Sequence, residues 1–113
     1  MRLRWILLSM MLIATLAGCG KPVPAAKSAY VGEWQRPEMY LLITQDGGVK
    51  YKRLKGSGTT SIDGPLQGFD GDDFTVGIGP MTTVFDVTAP PHQLKDGSWK
   101  MTIDGLELTR TSQ

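Results

Sequence analysis

The chain has 113 residues, with 12 Lys+Arg against 11 Asp+Glu and a formal charge of +1. That is the length of one small domain, and it lacks the basic excess needed to neutralise a run of phosphates, which argues against nucleic acid as a partner. One cysteine and one histidine rule out a disulfide framework and argue against a zinc site built from Cys or His, so stability must come from packing and strand pairing.

The first segment, Met1-Arg2-Leu3-Arg4, is positive, Trp5–Thr15 is almost wholly apolar, and Leu16-Ala17-Gly18-Cys19 ends the block in small residues. These are the three parts of a secretory signal. The apolar run falls short of the roughly 20 residues that a bilayer-spanning helix needs. The closing tetrapeptide resembles the lipobox of bacterial lipoproteins. The resemblance implies that residues 1–18 are a signal peptide forming an N-terminal helix, and that Cys19 takes a diacylglyceryl group on its thiol. It also implies that Cys19 becomes the first residue of the mature chain, with its new amino group open to acylation by a palmitate-type chain. Several acyl chains anchor a protein firmly where one binds only marginally. In enteric-type bacteria an aspartate after the cysteine resembles an inner-membrane retention signal, so Gly20 implies passage to the outer membrane. Loss of the signal takes Arg2 and Arg4, so the 12 basic residues become 10 against 11 acidic ones, a formal charge of −1.

Gly20–Ser28 holds two prolines, small residues and no periodicity, and reads as a semi-extended linker. Residues 19–28 are therefore expected to be lipidated cysteine plus tether, and residues 29–113 one small β domain. From Tyr30 onward no helical spacing is sustained. Five Asp-Gly pairs, at 46–47, 63–64, 70–71, 96–97 and 104–105, predict turns between short strands. The expected strands begin at Tyr30–Gln35. A hairpin of Met39–Thr44 with Val49–Leu54 follows, with Val49 and Tyr51 on one face and Lys50 and Lys52 on the other. Lys55–Ser61 reads as a mobile polar loop, and Leu66–Phe69 as a weak strand. Phe74–Ile78 alternates, as does Val84–Val87 with Phe85 and Val87 inward, and Ala89-Pro-Pro-His92 reads as a strand end or loop. The last hairpin is the clearest: a two-residue Asp104-Gly105 turn sets Ile103 opposite Leu106, Met101 opposite Leu108 and Trp99 opposite Arg110. The fold class is all-β, a small antiparallel barrel or sandwich of seven to eight short strands built from hairpins.

Gly32-Glu33-Trp34 on the first expected strand and Arg110 at the end of the last resemble the lipocalin and wider calycin pattern. The resemblance implies that Arg110 packs beneath Trp34 and closes a barrel, an arrangement in which a guanidinium stacks on an indole face.

The candidate sites are weak by comparison. Asp70, Asp72 and Asp73 crowd one turn, which could hold Ca²⁺ but lacks EF-hand spacing, so no metal site is expected. Glu33 and Glu38 could serve as an acid and base, yet nothing in the sequence pairs them, and His92 has no nucleophile motif beside it. No enzyme and no cofactor are therefore expected. Met39, Met81, Met101 and the tyrosines Tyr30, Tyr40 and Tyr51 read as packing residues. The inward candidates Trp34, Phe74, Phe85, Trp99, Met101 and Leu108 are large enough to fill a short barrel. Recognition then falls to the rim, at Lys55, Ser57 and Thr59, at Asp70, Asp72 and Asp73, and at Pro91 and His92. The expected protein is a lipid-anchored envelope module at the outer membrane, non-enzymatic, whose partners are the membrane through its lipid and another envelope protein. The alternative is a small calycin-like carrier of an apolar ligand.

Overall fold

The computed structural model describes residues 20–112; the expected signal peptide and the expected lipid-bearing Cys19 lie outside the described residues. A 3-10 helix, Ala25–Tyr30, leads into β1 (Gly32–Arg36), β2 (Met39–Ile43), β3 (Gly48–Lys55), β4 (Gly58–Asp70), β5 (Asp73–Ile78), β6 (Met81–Phe85), β7 (Val87–Gln93), β8 (Trp99–Ile103) and β9 (Leu106–Ser112). They form a single antiparallel sheet in the order β6-β5-β4-β3-β2-β1-β9-β8-β7, curled into a half-barrel. Every neighbour but one is joined by a hairpin connection, and the exception is the β1–β9 pairing, which brings the first and last strands together.

The expected barrel or sandwich of seven to eight strands is thus corrected to nine strands with two open edges. The extra strand comes from Val84–Val87, which divides at Asp86 into the end of β6 and the start of β7. Phe85 and Val87 both point inward, as their alternation requires, and both are buried. Asp86 is the corner between the two edges of the sheet. Its carbonyl accepts the Asp104 N–H at 2.9 Å, and the next N–H, of Val87, donates to Asp73 Oδ1 at 2.8 Å. Beyond this corner the edges part. β7 carries Pro90 and Pro91 and its register shifts twice along β8, because proline offers no ladder donor. Pro91 and His92 therefore sit within an edge strand, not in a loop.

The hairpins follow their turn chemistry. Asp104 (φ 51) and Gly105 (φ 79) both take positive φ, the type I′ geometry that matches strand twist. Ile103 then faces Leu106 and Met101 faces Leu108, as expected. Leu41 faces Tyr51 and Ile43 faces Val49 across β2 and β3, with Lys50 and Lys52 exposed on the other face.

Two expectations fail. Asp63-Gly64 is no turn but lies inside the 13-residue β4, where Asp63 faces Lys50 across the ladder. Lys55–Ser61 is no loop but a hairpin tip with a two-residue Gly56-Ser57 turn, because Thr59 and Thr60 are β-branched and pair with Leu54 and Arg53.

The core lies on the concave face. Trp34, Leu41, Phe74, Val76, Met101, Ile103 and Leu108 are fully buried, each side chain contributing about 1.5–3 kcal/mol. Phe85 stacks on Phe74 at 4.9 Å and meets Tyr51 edge-on at 5.0 Å, so rings from β3, β5 and β6 meet across the concavity. The stretch read as a linker also reaches this core. Val23 is buried, and the Lys21 and Val23 N–H groups donate to the Leu66 and Gln45 carbonyls. Tyr30, expected to open the first strand, instead ends the 3-10 helix and is buried.

Candidate functional site

The most constructed side-chain cluster is the β9–β1 seam. Gly32 opens β1 at φ +138, a region L side chains rarely adopt, and the strand then carries Trp34 inward. Trp34 and Arg110 are register partners. The Arg110 guanidinium carbon lies 5.0 Å from the Trp34 ring and 4.6 Å from the Trp99 ring, so the cation is held by two indoles. Arg110 Nη2 donates to the Ala29 carbonyl at 2.6 Å, and Trp34 Nε1 donates to the Tyr30 carbonyl at 2.9 Å. Burial pushes the Arg110 pKa down from its ordinary value, but arginine starts far enough above neutrality to stay charged.

The sequence pattern placed Arg110 opposite Trp99 in one hairpin and beside Trp34 by resemblance; the structure uses both rings on one guanidinium. The two carbonyl acceptors were missed because the sequence pattern starts the domain at Ala29 and its first strand at Tyr30, whereas both residues end the 3-10 helix.

The acidic turn is occupied by the fold itself. Tyr30 Oη donates to the Asp72 carbonyl at 2.8 Å, Lys27 Nζ donates to the Gly71 carbonyl at 2.7 Å and lies 3.6 Å from the Asp72 carboxylate, and Asp73 caps the start of β7. Burial, reinforced by the charges of Asp72 and Asp73, raises the Tyr30 pKa to about 12. Among the described residues no three His, Cys, Asp or Glu side chains group as metal ligands.

Glu33 and Glu38 have separate engagements. Tyr40 Oη donates to Glu33 Oε2 at 2.6 Å, which raises the Tyr40 pKa, while Glu38 pairs with Arg36. His92 is exposed, with Nδ1 2.9 Å from the Pro90 carbonyl oxygen.

The rim residues do not form one surface. The Lys55–Thr59 tip and the Asp70–Asp73 turn cap opposite ends of β4, about 40 Å apart at ~3.3 Å per residue. Pro91 and His92 lie on the β7 edge. A groove of about 450 Å³ is lined by Gln67, Phe69, Thr75 and Thr82, and another of about 350 Å³ by Gly20, Asp46, Asp63, Pro65 and Ile78; both open to solvent. Comparison of the chain with protein-family models, curated proteins and solved structures finds no match.

Proposed function

We propose that this protein is a non-enzymatic binding or accessory module of the bacterial cell envelope, held at the outer membrane by acylated Cys19 and contacting another envelope protein through its exposed hairpins. The observation that supports contact over carriage is the filled concave face. Trp34 and Phe74 are 0% exposed and Phe85 is 1% exposed, so large rings occupy the space an acyl chain would take. A half-barrel packed this way offers recognition at its turns and edges. The engagement of Glu33, Glu38 and Asp73 in structural contacts supports a role without catalysis.

The second reading, a calycin-like carrier of an apolar ligand, draws on the Trp34–Arg110 stack behind Gly32. Native mass spectrometry of the mature protein and photo-cross-linking from Ser57 in intact cells separate the two. The module reading expects the bare mass and a discrete adduct with another envelope protein. A stoichiometric small ligand with no protein adduct would favour the carrier.

A further inference from the structure

The segment that leaves the domain toward Cys19 has no slack. Lys21 N–H donates to the Leu66 carbonyl at 3.1 Å, Val23 N–H donates to the Gln45 carbonyl at 3.0 Å, and Gln45 Nε2 returns a bond to the Val23 carbonyl at 2.9 Å. Gly20 is seated so closely that an added Cβ would fall 2.5 Å from the Gly47 carbonyl oxygen and 2.7 Å from the Leu66 nitrogen. Cys19 is the next residue, and successive Cα atoms are only about 3.8 Å apart. Whatever is attached to Cys19 therefore departs from the groove that Gly20 lines.

Ile78 lines that same groove. It starts the Ile78-Gly79-Pro80-Met81 tip between β5 and β6, and Ile78 pairs with Met81 across it. These two side chains are 70% and 80% exposed, the most exposed large apolar residues described. No charged residue occurs between Asp73 and Asp86. Two carboxylates, Asp46 and Asp63, line the groove; Asp63 lies opposite Lys50 in the ladder, and Asp46 Oδ1 accepts from the Thr44 hydroxyl. An uncharged tip that places two large apolar side chains together in solvent is unusual in a small domain, where the other exposed ones, Leu54, Val84 and Leu94, stand singly.

We propose that the β5–β6 tip is a second membrane contact, with Ile78 and Met81 entering the interface of the bilayer that holds the Cys19 lipid. The proposal rests on the lipoprotein reading and deepens it by fixing which end of the domain meets the membrane. An apolar tip beside an acyl anchor adds contact area to it, as paired membrane signals do. It also sets orientation. β3 and β5 both run antiparallel to β4, so the Lys55–Thr59 tip leaves the sheet at the same end as the β5–β6 tip, and the Asp70–Asp73 turn lies at the other end, about 17 Å back along β5. The basic residues Lys52, Arg53 and Lys55 are then on the membrane side, where anionic headgroups would meet them.

The test uses the acylated full chain in vesicles of phosphatidylethanolamine and phosphatidylglycerol. Acylation consumes the Cys19 thiol, so a Met81→Cys or Asp70→Cys variant carries one free thiol for an environment-sensitive fluorophore. Lipids brominated on their acyl chains should quench the label at 81 several-fold more than the label at 70, with a blue-shifted emission at 81 only. Fatty-acid content is measured on the same samples. Equal, weak quenching at both positions in acylated protein would overturn the membrane contact while leaving the anchor intact. A blue-shifted label at 81 that bromolipid does not quench would assign the tip to a protein partner or a second copy and would also overturn it. Absence of acyl chains on the wild-type chain would remove the anchor reading and this proposal with it.

Discussion

The β9–β1 seam and the β5–β6 tip use large side chains in opposite ways. At the seam Trp34 is wholly buried, Arg110 lies between two indoles, and its Nη2 donates to the Ala29 carbonyl. At the tip Ile78 and Met81 share a face and cover nothing. Each region is an antiparallel strand pair in the same sheet, so strand pairing alone does not decide which side chains become core. Position relative to the curl does: the seam sits mid-sheet, where the concavity closes over it, and the tip stands at an edge beyond the last packed ring, Phe85. The seam holds the fold together, and the tip is left available for contact.

That contrast predicts unequal stabilities. Trp34→Ala should cost about 3–5 kcal/mol, since it empties a buried indole site and leaves Arg110 with one ring. Chemical denaturation of a soluble Cys19→Ser form measures it. Arg110→Ala should cost about 1–2 kcal/mol through lost packing and cation–π contact, and a melting point unmoved by it would mean the stack contributes nothing.

Tyr30 links the seam's N-terminal segment to the acidic turn, and its titration reports whether that link holds. Its pKa is raised to about 12 from 10.0, so the folded state keeps the phenolic proton longer than the unfolded chain does. The resulting stability is fully present below pH 10 and is lost as pH rises toward 12. Phenolate absorbance of the wild type against Tyr30→Phe should show this late titration, and the phenylalanine variant should lose the alkaline sensitivity. The smallest effect belongs to the tip, where Ile78→Ser with Met81→Ser should change stability by no more than about 0.5 kcal/mol, because neither side chain packs. A large loss there would erase the distinction between the two regions.

What could be read from the chain follows the range of the interactions involved. The β8–β9 hairpin was legible to the residue because Trp99, Met101 and Ile103 alternate and Asp104-Gly105 admits one turn geometry. Asp63-Gly64 misled because its turn preference is weaker than a continuous ladder with β3, where Asp63 lies opposite Lys50. The long β4 was seen only as Leu66–Phe69, since its first half is Thr, Ser and Gly without apolar alternation. The docked Gly20–Ser28 stretch was the largest miss: two prolines hid a stretch whose Val23 is core. Of the candidate site, Trp34, Trp99 and Arg110 were named from sequence. The rim was named as one surface and is three separate places, because strand length and order are set by pairings far apart in the chain.

The account depends most on Cys19 as the point of membrane attachment. Metabolic fatty-acid labelling of the wild type and Cys19→Ser, followed by fractionation, tests it directly. The wild type should carry label and pellet with membranes, while the serine variant should carry none and appear in the soluble envelope fraction. A serine variant that stays firmly in the membrane after its signal is removed, or a wild type without label, would contradict the claim.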